Sequence, residues 1–133
     1  MTRRFRFRND ERGQSLTEFA LVAPLLLLLV FGILDLGRYF YAHLQLQSTA
    51  QETVRLGGLG RTDAELRAFA ASHLGYGDPA RLTVAISPAQ TDRDSGDYVT
   101  VTLAAPFSFV TPLAGKLLTP LADVRAASTI RVE

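Results

Sequence analysis

Few side chains in this 133-residue chain have the type and spacing that chemistry requires. There is no cysteine, which removes thiolate nucleophiles, disulfides and Cys-ligated zinc and leaves the redox compartment open. The two histidines, His43 and His73, lie in different segments, and neither H-x-x-x-H nor H-E-x-x-H spacing occurs. His73 falls on the apolar face expected of a short helix and reads as a structural histidine. Asp92, Asp94 and Asp97 with Gly96 have the look of a calcium loop, but its last ligand, at the twelfth position, would fall on Leu103. A solvated turn fits that segment better. Gly57-Gly58-Leu59-Gly60 lacks the Lys-Ser/Thr of a phosphate loop and follows a helix, so it reads as a helix stop. No pair of acid/base groups is linked by spacing. The expectation is a protein that is not an enzyme and uses no metal, cofactor or small-molecule substrate.

One segment has a different character: Gly13-Gln14-Ser15-Leu16-Thr17-Glu18-Phe19. Ahead of it, residues 1–13 carry five Arg against Asp10 and Glu11, net +3, while the other residues carry nine basic and eleven acidic groups, net −2. That imbalance argues against a uniformly basic nucleic-acid binder. Behind Glu18, Phe19–Leu34 is a run of sixteen residues without a charge. As a helix it spans about 24 Å, short of a hydrocarbon core of roughly 30 Å. Extended to Gln14–Leu34 it has 21 residues, interrupted only by Glu18, and is long enough. It has no amphipathic stripe, and an all-round apolar helix belongs in lipid. Signal-peptidase cleavage wants small residues at −3 and −1, and Gly37 would need Asp35 as its −3 partner. The anchor therefore stays, and the Arg-rich leader favours a cytoplasmic N-terminus with the distal part outside. Arg38 can snorkel, and Tyr39, Phe40 and Tyr41 suit an interfacial aromatic belt.

The elements that follow are legible from their periods. Leu36, Tyr39, Ala42, Leu46, Ala50 and Val54 recur every three or four residues, so the anchor helix continues as a stalk until the glycines at 57–60. Thr62 and Glu65 form a T-x-x-E capping box for a short helix whose face is Leu66, Phe69, Ala70, His73 and Leu74, with Gly75 at its C′ position. Beyond Asp78-Pro79 the period becomes two. Leu82, Val84 and Ile86 mark one strand, Val99, Val101 and Leu103 a second, and Val124, Ala126, Ser128, Ile130 and Val132 a third. Residues 106–121, with Pro106, Pro112 and Pro120, read as a covering loop with one helical turn. The expected fold is α+β: a long N-terminal helix, anchor plus stalk, a short second helix and a small antiparallel sheet of about three strands packed on the stalk's stripe. The expected division is a basic leader at 1–13, anchor and stalk at 14–57, and a small outer α+β domain at 58–133.

A Gly closing a basic leader, an acidic residue five positions later, an aromatic next and then an apolar helix resembles the processing site of type IV pilin-like proteins. That resemblance implies that a membrane aspartyl peptidase cuts between Gly13 and Gln14, leaving Glu18 as the fifth mature residue and Phe19 after it. Gly holds helix poorly, which suits a segment that must enter a protease cleft extended. A closer resemblance covers residues 12–57, RGQSLTEFALVAPLLLLLVFGILDLGRYFYAHLQLQSTAQETVR and its flanks. The R-G followed by E-F, Pro24 inside the apolar run and F-G-I-L-D-L-G-R at Phe31–Arg38 are similar to the TadE-like family of tight-adherence (Tad/Flp) pilus systems. Asp35 stands where that family has Glu or Asp. The family implies a pseudopilin in the bacterial cytoplasmic membrane, needed for assembly of a type IV pilus. Its partners would be membrane lipid, the prepilin peptidase, other pilin or pseudopilin subunits and the assembly platform. TadF-like subunits share the anchor pattern. An uncleaved, signal-anchored envelope protein with an outer binding domain is the competing reading.

Overall fold

The computed structural model describes residues 11–112, 114–118 and 122–133; residues 1–10 of the basic leader lie outside them. Helix α1, Glu11–Gly58, runs unbroken for 48 residues, about 72 Å at 1.5 Å per residue. It is the single continuous helix that the sequence implies. Its arrest is local: the Leu59 amide donates to Arg55 O at 3.2 Å, the Arg61 amide reaches back to Leu56 O, and Gly60 takes a φ of +79° that favours glycine.

The buried stripe of α1 differs from the expected one at its start. Leu36 is exposed, and the face turned to the rest of the protein runs through Asp35, Ala42, Leu46, Thr49, Thr53 and Gly57, with Tyr39 half-buried. Steps of four and three residues give that face the usual helical drift. It admits two threonines because each hydroxyl has a backbone acceptor. Thr49 Oγ1 donates to Gln45 O and His73 O, and Thr53 Oγ1 to Thr49 O at 2.7 Å.

Helix α2, Asp63–Ser72, opens on the expected capping box: the Glu65 amide donates to Thr62 Oγ1 and the Thr62 amide to Glu65 Oε2. Leu66 and Ala70 are its buried residues. Its close corrects the sequence reading twice. His73 itself is the C-cap, so Gly75 lies beyond the C′ position, and no positive φ occurs there. An added Cβ at Gly75 would meet the Gln45 amide end at 2.5 Å, which that flexible side chain would have to vacate. His73 is exposed, not on the buried face; its ring stacks on Phe69 at 3.9 Å and Nδ1 bonds the Ser72 hydroxyl.

Three strands, β1 (Thr83–Ser87), β2 (Tyr98–Pro106) and β3 (Asp123–Arg131), form an antiparallel meander in that order. Val101 of β2 faces Ile86 on one side and Ser128 on the other. Period-two alternation turns Val99, Val101, Leu103 and Ala105 toward α1 and leaves Thr100 and Thr102 on the opposite face, where the Thr100 and Thr129 hydroxyls meet at 2.8 Å. Alanines 42, 50, 105 and 126 let helix and sheet come close, with Leu46, Leu103 and Val124 filling the centre. Truncation there leaves a hole. Leu103→Ala is expected to lower the unfolding free energy by about 2–5 kcal/mol, read by denaturant unfolding in detergent. Leu34→Ala, on the exposed part of α1, should leave the midpoint unchanged.

The β2–β3 connection carries one helical turn, α3 (Ala114–Leu117), and its described part faces α1 across a groove; Pro120 of the expected covering loop lies outside the described residues.

Candidate functional site

Every described side chain from Gly13 to Leu34 except Ala23 is exposed, so among the described residues little of this half of α1 is covered. By length and composition it can cross a membrane. Pro24 lies inside it, where the missing N–H leaves the Ala20 carbonyl without its usual donor.

The expected processing residues gather at the start of this half. Gly13, Gln14, Glu18 and Phe19 all lie on α1 and all are exposed. Gln14 Nε2 donates to Glu18 Oε1 at 3.1 Å, and Thr17 Oγ1 donates to Gly13 O at 2.9 Å. Gly13 is helical here, so a protease would first have to open this turn. The cost is small at a helix end, where few bonds must break and Gly disfavours helix by about 1 kcal/mol relative to Ala. The spacing of 14 and 18, one helical turn, puts any charge at residue 14 within reach of the Glu18 carboxylate.

A second constellation sits where the apolar run ends. Asp35 is 3% exposed, and its carboxylate accepts from four groups. The Val110 amide reaches both oxygens at 3.0 Å, and the Thr111 amide and hydroxyl reach Oδ2 at 2.7 and 2.6 Å. Arg38, one turn further along, donates to Oδ1 at 2.9 Å and reaches Ser108 O at 3.4 Å. Burial pushes the Asp35 carboxyl up. The Thr111 hydroxyl and amide, the Val110 amide and Arg38 together outweigh it and bring the group down to about 2.

An aromatic cluster backs this latch. The Arg38 guanidinium lies 5.4 Å above the Phe107 ring, and Phe107 packs against Tyr39, Tyr76 and Phe109. Tyr76 OH donates to Pro106 O. Tyr39 therefore belongs to this junction, while Phe40 and Tyr41 remain exposed and available to an interfacial belt. Arg38 is held by Asp35 instead of extending freely to the membrane surface.

The arrangement fixes an apolar helix rigidly to a folded head. The order of residues singles out Gly13, Gln14, Glu18 and Phe19, and α1 carries them on about two turns. The latch is not visible in that order, because the donors at 110 and 111 sit in a proline-containing loop without periodicity. The acidic loop is built on its own backbone: the Asp94 amide donates to Asp97 Oδ2, and Gly96 has φ +98°. Among the described residues no group of three His, Asp or Glu side chains is placed to hold a metal. Residues 13–55 match the family described as TadE-like protein, within the 12–57 that the sequence resemblance covers. No curated protein and no solved structure matches the chain.

Proposed function

We propose that the chain, whose residues 13–55 match the family described as TadE-like protein, is a Tad pilus-associated minor pilin-like subunit, a pseudopilin, required for pilus assembly. The observation that carries this reading is the joining of three features on one helix. These are a Gly13–Phe19 segment of prepilin type, an exposed apolar span, and a distal half locked into a small α+β head. A filament subunit needs the same three: a site for a peptidase, a helix to leave lipid for its neighbours, and a head to fix orientation.

In this reading the N-terminus is cytoplasmic and the head is outside the cytoplasmic membrane. The prepilin peptidase cuts between Gly13 and Gln14, and the new α-amine of Gln14 becomes a charge partner for Glu18, its own or a neighbour's. The role is structural, not enzymatic. An unpaired carboxylate carried to the bilayer centre would cost on the order of 2.5–3.5 kcal/mol on insertion scales, so any step that buries residue 18 among apolar helices favours pairing.

Glu18→Gln keeps the shape and removes that pairing. It should insert into the membrane normally, co-purify poorly with pilin partners and support few pili. Membrane content, precursor cleavage and pilus yield measured in the same cells decide this. Unchanged pilus yield with full partner recovery would leave Glu18 as an ordinary interfacial residue. The competing reading, an uncleaved signal-anchored envelope protein, expects Glu18→Gln to be silent in every one of these assays.

A further inference from the structure

Below the Asp35 latch a groove of about 590 Å³ opens between α1 and the returning chain. Leu28, Gly32 and Leu36 line it from α1, and Phe109, Pro112 and Leu118 from the opposite side. Polar groups contribute almost nothing beyond Asp35 and Thr111, which close its upper end. Gly32 has no heavy atom within 4 Å of an added Cβ, so the groove floor is open there.

Depth is what identifies the occupant. Asp35 pins Val110 and Thr111 to the end of the apolar run. From there the groove continues down α1 to Leu28, two turns back and about 10 Å deeper along the helix. Those two turns belong to the span itself, Gln14–Leu34, so the groove wall at Pro112 and α3 stands at the level of hydrocarbon, not of water. Its outward side chains are apolar apart from Lys116. Val110 is 65% exposed and Leu117 77%, and Leu118 is exposed beside them. Three apolar side chains bared at one end of a head, continuous with an all-round apolar helix, have the composition of an interfacial membrane contact.

We propose that this groove takes an acyl chain of a membrane phospholipid. In the same contact Val110, Leu117 and Leu118 enter the lipid beside α1 as a shallow second attachment. The attachment sets the tilt and rotation of the head relative to the membrane, which a single helix leaves free. The proposal rests on the reading of α1 as a membrane span.

The chain has no tryptophan, so single Trp reporters can be read without background. The full protein is reconstituted in phosphatidylcholine vesicles containing lipids brominated along the acyl chain, with Leu117→Trp as the test position. Leu26→Trp reports the span, and Tyr98→Trp, exposed on the head, reports water. The expected result is blue-shifted Leu117→Trp emission quenched by the bromolipids, unchanged when protein is diluted in lipid, with Tyr98→Trp unquenched. If Leu26→Trp is quenched while Leu117→Trp is reached only by aqueous iodide, the wedge is overturned and the span stands. If neither is quenched, the span reading has failed and the wedge with it. Protection of Leu117→Trp only at high protein-to-lipid ratio would assign the groove to a second copy and also overturn the proposal.

Discussion

Asp35→Ala is expected to unfasten the head from the membrane helix and to lower its stability by about 2–4 kcal/mol. Four donors converge on this carboxylate, from the Val110 amide, the Thr111 amide and hydroxyl, and Arg38. Removing the acceptor orphans them together, and each buried donor left without a partner costs about 1–3 kcal/mol unless water reaches it. Arg38, half-exposed, recovers solvation; the Thr111 groups do not. Asp35→Asn should fall between, since its amide keeps one acceptor oxygen and turns an NH₂ toward the remaining donors.

Hydrogen exchange separates this from general unfolding. The Val110 and Thr111 amides should lose protection in Asp35→Ala while Val101, in the middle of β2, keeps its own. Wild-type protection at both loop amides in a variant of undiminished stability would show that the latch carries no weight. The same group gives the pH dependence its sign. Its folded value is depressed, so its stabilisation is complete above the ordinary carboxylate value of 3.8 and is lost as pH falls through about 2. Asp35→Ala should therefore flatten that acid limb of the wild-type profile.

The second large effect is all-or-none. Gly13→Val should leave the full-length precursor in the membrane and abolish pili. A β-branched side chain beside the scissile bond crowds the protease cleft, and it replaces the one residue of the segment that opens its helical turn at little cost. Head folding should be untouched, because Gly13 lies well over twenty residues from the first core position on α1. Normal trimming of Gly13→Val in cells that carry the peptidase would make Gly13 a plain joint between leader and helix.

Most of the fold is legible in the period of its apolar residues. The stalk stripe at Ala42, Leu46, Ala50 and Val54, the Thr62–Glu65 box and the alternation through Val99, Val101 and Leu103 each depend on neighbours within a few residues. What failed was polar or distant. The apolar stripe starts at Leu36, whereas the buried face starts at Asp35, a carboxylate whose donors lie 75 and 76 positions away. Thr49 and Thr53 are absent from an apolar stripe, although short-range backbone acceptors satisfy both. Helical spacing puts His73 on the apolar face, yet α2 ends at Ser72 and the ring lies on Phe69 at the surface. Apolar pattern alone does not register a polar group whose partners lie elsewhere in the chain.

The central claim, a prepilin-type subunit matured at its leader, is tested most directly by the intact mass of the protein from its native membrane. The full chain weighs 14.5 kDa. The expected species is lighter by the mass of residues 1–13 and begins at Gln14. A membrane population that retains Met1 to Gly13, in cells with an active prepilin peptidase, would contradict the account.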